Sequence, residues 1–388
     1  MEEIVGKYTT AKVFAEDLDS QTRSHLYDMV NNPAMNGQVR IMPDCHEGKG
    51  SVVGFTMPIT DKVIPTTVGV DIGCGMLSFS VGKDLNFSVD EIDKVIRTVI
   101  PMGFNLRTES VFTKIGDDFS NLARKVGTPE AKFATSLGTL GGGNHFIELG
   151  KDDDDYFWFT IHSGSRRFGL DVCNFHQKRV DFYDNIGFND KLYMLKQEYS
   201  GTELGKRIKK LQDSRKPLGY LTGSDMQEYL EDMEIAQRYA VANRAWMMHF
   251  ILESLSLYND SVIECVHNYI DSSDNMIRKG ATRAKVGDEI ILPFNRQEGI
   301  WIMEGLGNDD WNNSAPHGAG RTMSRSKAKE VLNAEDVKKS LNNSGVYSSV
   351  DPLDEAPAAY KDPEQIKRLI QPTAKFRFAI RPILNIKA

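Results

Sequence analysis

Apolar residues in this chain gather in short runs at 51–59, 75–82, 156–164, 261–270 and 299–305, some alternating with polar residues and some continuous. Runs of that length, bounded by turn-forming residues, predict β-strands. The segment FRFAIRPILNIK at 376–387 also reads as extended, with Pro382 breaking it because proline cannot donate to a ladder. Between GGGNHFIEL and YFWFTIHSG, the acidic run 152–155 predicts a hairpin-like turn. Helical spacing is confined to fewer segments. Ser88 and Glu91 make a capping-box pair ahead of VDEIDKVIRTVI, which Pro101 stops. Ser224 with Gln227 offers a second such start, after which Tyr229, Met233, Ala236, Ala240, Met247, Phe250 and Ile251 recur on one face. That stripe reads as core, not as cofactor contact. Helices should fill the middle of the chain and the 325–340 stretch. Strands carrying the motifs and helices around them predict an α+β fold with a mixed β core. No linker divides it, so 1–388 reads as a single domain.

Composition narrows the class. A hydrophobic fraction of 40% is that of a globular protein. No apolar run reaches the roughly 20 residues needed to span a bilayer, and the start MEEIVGKYTT lacks the basic and apolar parts of a signal peptide. The four cysteines, Cys45, Cys74, Cys173 and Cys265, do not form a disulfide framework, so a reducing, cytoplasmic setting without membrane attachment is expected. A net charge of −7 argues against a broad duplex-binding surface. Local basic clusters remain: Lys206, Arg207, Lys209 and Lys210 read as a solvated helix face, whereas Arg321, Arg325, Lys327 and Lys329 follow a Gly/His motif and could line a groove.

Histidine carries the chemical signal. One histidine alone is more often a satisfied core or surface residue. Here His- or Cys-bearing segments recur beside glycine turns: MPDCHEGKG with Asp44 and His46, DIGCGM, GGGNHFIEL, IHSGSR and APHGAGR, with ECVHNYI the exception that lacks glycine. Asp71-x-x-Cys74 brings a carboxylate and a thiol within reach of one metal or a pair, and a thiolate can bridge two ions. Imidazoles from His145, His162 and His267 would complete such a site and leave open positions for substrate oxygens. Ligand softness favours zinc, while the carboxylate and open positions allow manganese. Gly141, Gly142 and Gly143, and Gly318 with Gly320, can bring backbone N–H groups close to a phosphate.

Taken together, MPDCHEGKG, VGVDIGCGM, SLGTLGGGNHFIEL, HSGSR, HNY, GLGN…HGAGRTMSRSKAK, EAPAAYKD and the late Lys387 give a chain that resembles the RtcB family of GTP-dependent RNA ligases over nearly its full length. The resemblance implies two Mn²⁺ ions sharing the Cys74 thiolate, one completed by Asp71 and His145, the other by His162 and His267. It implies that His317, oriented by Asp44, attacks GTP to form a guanylyl-histidine. It further implies that RNA bearing a 3′-phosphate or 2′,3′-cyclic phosphate is joined to a 5′-hydroxyl end, as in RNA repair or tRNA splicing. Nucleotide contacts are implied for Asn144, His145, Phe146, Ile147, Glu148, His267, Asn268, Gly318, Ala319, Gly320, Tyr360 and Lys387. Arg166 is the implied partner of the RNA terminal phosphate, and an archease-like activator the implied protein partner. Three places depart from the family pattern: PFNRQEGI at 293–300 replaces a small, hydroxyl-bearing loop, Val266 stands where a second histidine is common, and Arg167-Phe168 follows HSGSR. Two other classes share these ligands, a metal-dependent cyclic phosphodiesterase and an RNA-binding protein with a structural metal. The retained His317 and Asp44 favour ligation.

Overall fold

The computed structural model describes residues 1–111, 116–213, 219–350 and 353–388. Two large sheets form the frame. The first runs in the order Glu2–Val5, Thr10–Val13, Val39–His46, Val53–Pro58, Met276–Lys279 and Asn268–Asp271. Thr10–Val13 pairs in parallel with Val39–His46 and the other neighbours are antiparallel, so the sheet is mixed. The second runs Ser261–Val266, Gly75–Ser80, Phe157–Ser163, Phe146–Lys151, Ala374–Ile386, Ile300–Gly305 and Glu289–Pro293. It curls until its edge strands meet, with Cys265 Sγ 3.8 Å from the Ile291 carbonyl. Strand partners come from distant parts of the chain, as where Ala374–Ile386 pairs with Phe146–Lys151. This is the α+β arrangement expected from motif-bearing strands with helices around them.

The helix Gly223–Leu255 joins the two halves of the interior. Tyr229, Met233, Ala236 and Tyr239 pack with Leu26, Phe168 and Val172 beneath the first sheet. Met247, Ile251 and Leu255 pack with Ile92, Ile96, Phe159 and Ile147 on the second. The periodic stripe is therefore core, apart from Phe250, which is only partly buried. The Ser224–Gln227 capping box does not form. Leu221–Thr222 pairs with Lys62–Val63, so the chain enters the helix at Gly223 with Thr222 as an unbonded cap. At Ser88 the capping box is present, leading into Val89–Val99.

Two further details differ from the sequence expectation, and the helices expected over 325–340 are present. Ala374–Ile386 continues through Pro382, where a register shift against Phe146–Lys151 absorbs the missing donor. The run 261–270 splits at His267, which carries the chain from one sheet to the other. The 325–340 stretch is a pair of helices, Arg325–Val331 and Ala334–Asn343, the second capped by the Asn333 side chain. The acidic run does form a turn: Asp152 accepts from Asp154 N, Tyr156 N and Trp158 Nε1, closing the hairpin Phe146–Lys151/Phe157–Ser163. Among the described residues, no helix is long and apolar enough to cross a membrane.

Candidate metal and nucleotide site

Four neighbouring strands of the second sheet deliver their ligands at one end. Cys74 precedes Gly75–Ser80, His145 precedes Phe146–Lys151, His162 lies near the end of Phe157–Ser163, and His267 follows Ser261–Val266. Pairing of His162 with both Met76 and Phe146 aligns these ends. Cys74 Sγ lies 3.2 Å from His162 Nε2 and 3.5 Å from His145 Nε2. His162 Nε2 lies 3.2 Å from His267 Nε2, and His145 Nε2 lies 2.9 Å from Asp71 Oδ2. Two nitrogen or sulfur donors on a common tetrahedral ion stand about 3.3–3.6 Å apart. The groups Asp71–Cys74–His145 and Cys74–His162–His267 therefore fit a pair of cations that share the thiol.

The electrostatics agree. Burial, then neighbouring histidines, hold His162 and His267 well below the usual imidazole range, so both offer neutral nitrogens. Burial and then the Asp71 carboxylate push the Cys74 thiol well above its ordinary value. A bound cation reverses that penalty by stabilising the thiolate. His145 Nδ1 lies 3.0 Å from the Leu140 carbonyl. If the proton sits there, Nε2 keeps its lone pair for a metal. Arg166 Nη1, also 3.0 Å from that Nδ1, is then a close neighbour and not its donor.

Asp44, on Val39–His46 of the first sheet, faces this cluster across the junction of the sheets. Its Oδ2 lies 2.7 Å from His317 Nδ1 and 3.3 Å from the His317 backbone nitrogen. Gly320 is required here: its φ is +74°, and a Cβ would come within 2.2 Å of the Asp44 carbonyl oxygen. The His317 ring packs against His267, 4.8 Å between centroids, and borders a cavity of about 290 Å³.

That cavity gathers most of the implied nucleotide residues. Asn144, Phe146, Glu148, Gly318, Ala319, Gly320, Tyr360 and Lys387 line it, with His46, His162 and His317 at the metal end. His145, Ile147, His267 and Asn268 are not among them, the two histidines belonging to the ligand cluster. Ile147 points to the opposite face of its strand and belongs to the hydrophobic core. Asn268 braces the metal loop instead, accepting from Gly280 N at 2.9 Å, with its carbonyl taking the Gly73 N–H at 2.7 Å. Of the glycines named for close backbone approach, Gly141, Gly143 and Gly320 have positive φ. Burial pushes the Glu148 carboxyl up to about 7 despite Asn385, Arg296 and Lys387 nearby.

The departures find places too. Arg296 is folded inward onto the cavity wall, while Gln297 bonds Ser340 and Glu298 pairs with Lys367 at 3.2 Å. Phe168 is a core residue against Phe133 and Tyr239. The second basic cluster is largely matched by acids: Arg321 and Arg325 reach Glu355, Arg325 and Lys329 reach Asp354, and Lys327 pairs with Glu330.

Several residues were missed in sequence. Arg244, fully buried, donates to the Gly73 and Ser163 carbonyls at 2.8 Å each and pairs with Glu264. Asn243 ties Gly138, Thr139 and Gly164 together. These two polar residues inside a core stripe were the available signal. Lys279, buried and pushed down to about 7 by desolvation, donates to the Ser51 carbonyl at 2.9 Å.

Comparison with known proteins agrees with this geometry. A family model described as tRNA-splicing ligase RtcB matches residues 25–388. The chain is 28% identical to the RNA-splicing ligase RtcB of Escherichia coli strain K12, over 95% of each chain. It is 22% identical to the tRNA-splicing ligase RtcB of Methanococcus maripaludis, over 94% of this chain and 90% of that one. With the tRNA-splicing ligase RtcB of Nanoarchaeum equitans it shares 24% identity over 98% and 94%. A match across so much of the chain, on a frame that unites a Cys/His/Asp cluster with an Asp-oriented histidine, makes this protein a member of the RtcB family of RNA ligases.

Proposed function

We propose that this protein seals RNA breaks, joining 3′-phosphate or 2′,3′-cyclic phosphate ends to 5′-hydroxyl ends through a guanylyl group carried on His317. The observation that carries this reading is the Asp44–His317 pair, 2.7 Å apart, on a cavity whose wall also includes His162 of the ligand cluster. A neutral imidazole is a competent nucleophile near neutral pH. A carboxylate accepting Nδ1–H leaves the Nε2 lone pair for attack.

In this reading Nε2 bonds to the α-phosphorus of GTP as pyrophosphate leaves. A 3′-phosphate oxygen of RNA next takes the guanylyl group, and the P–N bond breaks. A 5′-hydroxyl then attacks the activated 3′-phosphorus and GMP departs; a cyclic end is first opened by water. Asp71, Cys74 and His145, and Cys74, His162 and His267, would hold a pair of Mn²⁺ ions. Bound there, such ions supply charge neutralisation and polarisation of phosphate oxygens. Asn144, Phe146, Glu148, Tyr360 and Lys387 are proposed to hold base and ribose, with the backbone at Gly318, Ala319 and Gly320 beside the phosphates. Arg166 is the proposed partner of the RNA terminal phosphate, since a guanidinium matches phosphate in a bidentate way. The four cysteines are free and buried, which supports a cytoplasmic setting, and an archease-like activator is the proposed partner.

Incubation with α-labelled GTP and Mn²⁺ tests the reading. An acid-labile guanylyl adduct, absent in His317→Ala, is expected. Opening of cyclic ends without any adduct would replace ligation with phosphodiesterase activity.

A further inference from the structure

Glu148 and Asn385 stand opposite one another across the antiparallel pair Phe146–Lys151/Ala374–Ile386. They are only 3% and 2% exposed, yet both line the cavity beside His317. Asn385 Nδ2 donates to Glu148 Oε2 at 2.8 Å. An ionised carboxylate can only accept, so the amide must turn its NH₂ toward it and its carbonyl away. Glu148 Oε1 and Asn385 Oδ1 are then neighbouring acceptors, both buried and without a hydrogen-bond partner among the described residues. Burying two such acceptors is costly unless a ligand answers them. Burial raises the Glu148 carboxyl to about 7 against the pull of Asn385, Arg296 and Lys387, so above that pH both groups are acceptors.

We infer that Asn385 is a second base-reading residue, its Oδ1 accepting from the exocyclic amino group of a purine whose ring N–H is taken by Glu148 Oε1. The inference rests on the guanylylation reading and names what in this chain would select the base. Guanine presents two adjacent donors, N1–H and the N2 amino group. Adenine sets an acceptor at ring N1, which would meet Glu148 lone pair to lone pair. Hypoxanthine keeps the ring N–H and lacks the amino group. Glu148 thus rejects adenine, and Asn385 rejects hypoxanthine.

The test is equilibrium binding of GMP, IMP and AMP to the Mn²⁺-loaded full chain, run beside adduct formation from GTP and ITP. The parent protein prefers GMP over IMP by about ten-fold or more, the usual effect of one buried acceptor left unanswered. In Asn385→Leu, and in the smaller Asn385→Ser, that preference falls to within about two-fold, chiefly through loss of GMP affinity, because IMP never made the contact. Preference over AMP persists. Equal binding of GMP and IMP by the parent protein overturns the assignment without any variant, as does an unchanged ratio in folded variants. If GMP is preferred but no adduct forms, the ligation reading falls and the role of Asn385 stands. Binding of neither nucleotide overturns both.

Discussion

Replacing Asp44 with asparagine keeps the shape of the side chain and removes its charge. Asp44 is fully buried, and its Oδ2 is bonded to His317 Nδ1 at 2.7 Å and to the His317 backbone N–H at 3.3 Å. Two losses combine in Asp44→Asn. A hydrogen bond to a charged group contributes about 1.5–3 kcal/mol, and here it supports the imidazolium that forms as Nε2 gains phosphorus. That alone slows guanylylation by about 10- to 150-fold. In addition, an amide can offer its NH₂ to Nδ1, which places the imidazole proton on Nε2 and blocks the nucleophile. The combined expectation is a slowing of about 10²- to 10⁴-fold, as when a buried aspartate behind a catalytic histidine is neutralised elsewhere. Single-turnover formation of the adduct from α-labelled GTP at saturating Mn²⁺ measures it. GMP affinity and melting temperature should stay near the parent values. A rate within about three-fold of the parent would refute the orienting role of Asp44. Parallel loss of GMP binding would instead point to collapse of the cavity.

Other outcomes follow from the same geometry. Elemental analysis should find both Mn²⁺ ions in the parent, one in Asp71→Ala or His267→Ala, and neither in Cys74→Ala; equal retention in all three variants would contradict a shared thiolate. Mn²⁺ at a hundred times its Kd should stabilise the parent by about 2.7 kcal/mol per site, read as a rise in melting temperature that Cys74→Ala lacks. Glu148 sits at about 7 against an ordinary 4.5, so it favours the fold below about pH 4.5 and that contribution is lost as pH rises through 7. Glu148→Gln should therefore gain up to about 3 kcal/mol on the parent between acid and pH 8 in denaturant titrations, whereas a difference flat with pH counts against the raised carboxyl. Arg244→Met leaves the Gly73 and Ser163 carbonyls without their donor. It should cost about 3 kcal/mol of stability and weaken Mn²⁺ binding together, and an effect on stability alone would separate the arginine from the centre.

The parts of the site that sequence revealed are those whose chemistry is local. Cys74 and Asp71, or His145 after three glycines, announce themselves because residue type and turn propensity coincide within a few positions. The strand that follows Cys74 was legible as a short apolar run at 75–82, whereas Phe146–Lys151 after His145 was not among the runs read from sequence. What sequence hid was long-range. Arg244 lies on a helix whose periodicity correctly signalled packing, and nothing nearby in the chain marks the carbonyls of residues 73 and 163 as its partners. Asn385 is one polar residue in an extended run, and its meaning depends on the register that sets it opposite Glu148. The misplaced helix start at Ser224 has the same origin, since the pairing of Leu221–Thr222 with Lys62–Val63 overrides the local cap. Ile147 was named with its neighbours, yet alternation along a strand gives successive residues opposite faces.

The crossing of the chain from one sheet to the other at His267 has a consequence for biosynthesis. On a ribosome, Asp71, Cys74, His145 and His162 emerge well before that crossover, and the strand that orders Glu148 emerges later still. Pairings of such high sequence separation form slowly and late. A nascent chain thus carries the Cys74 thiol without His267 for about half of its synthesis, exposed to whichever soft cation the cell offers first. If the proposed pair of ions binds there, selection of the metal falls to the finished fold, in which the crossover brings His267 to Cys74 and His162.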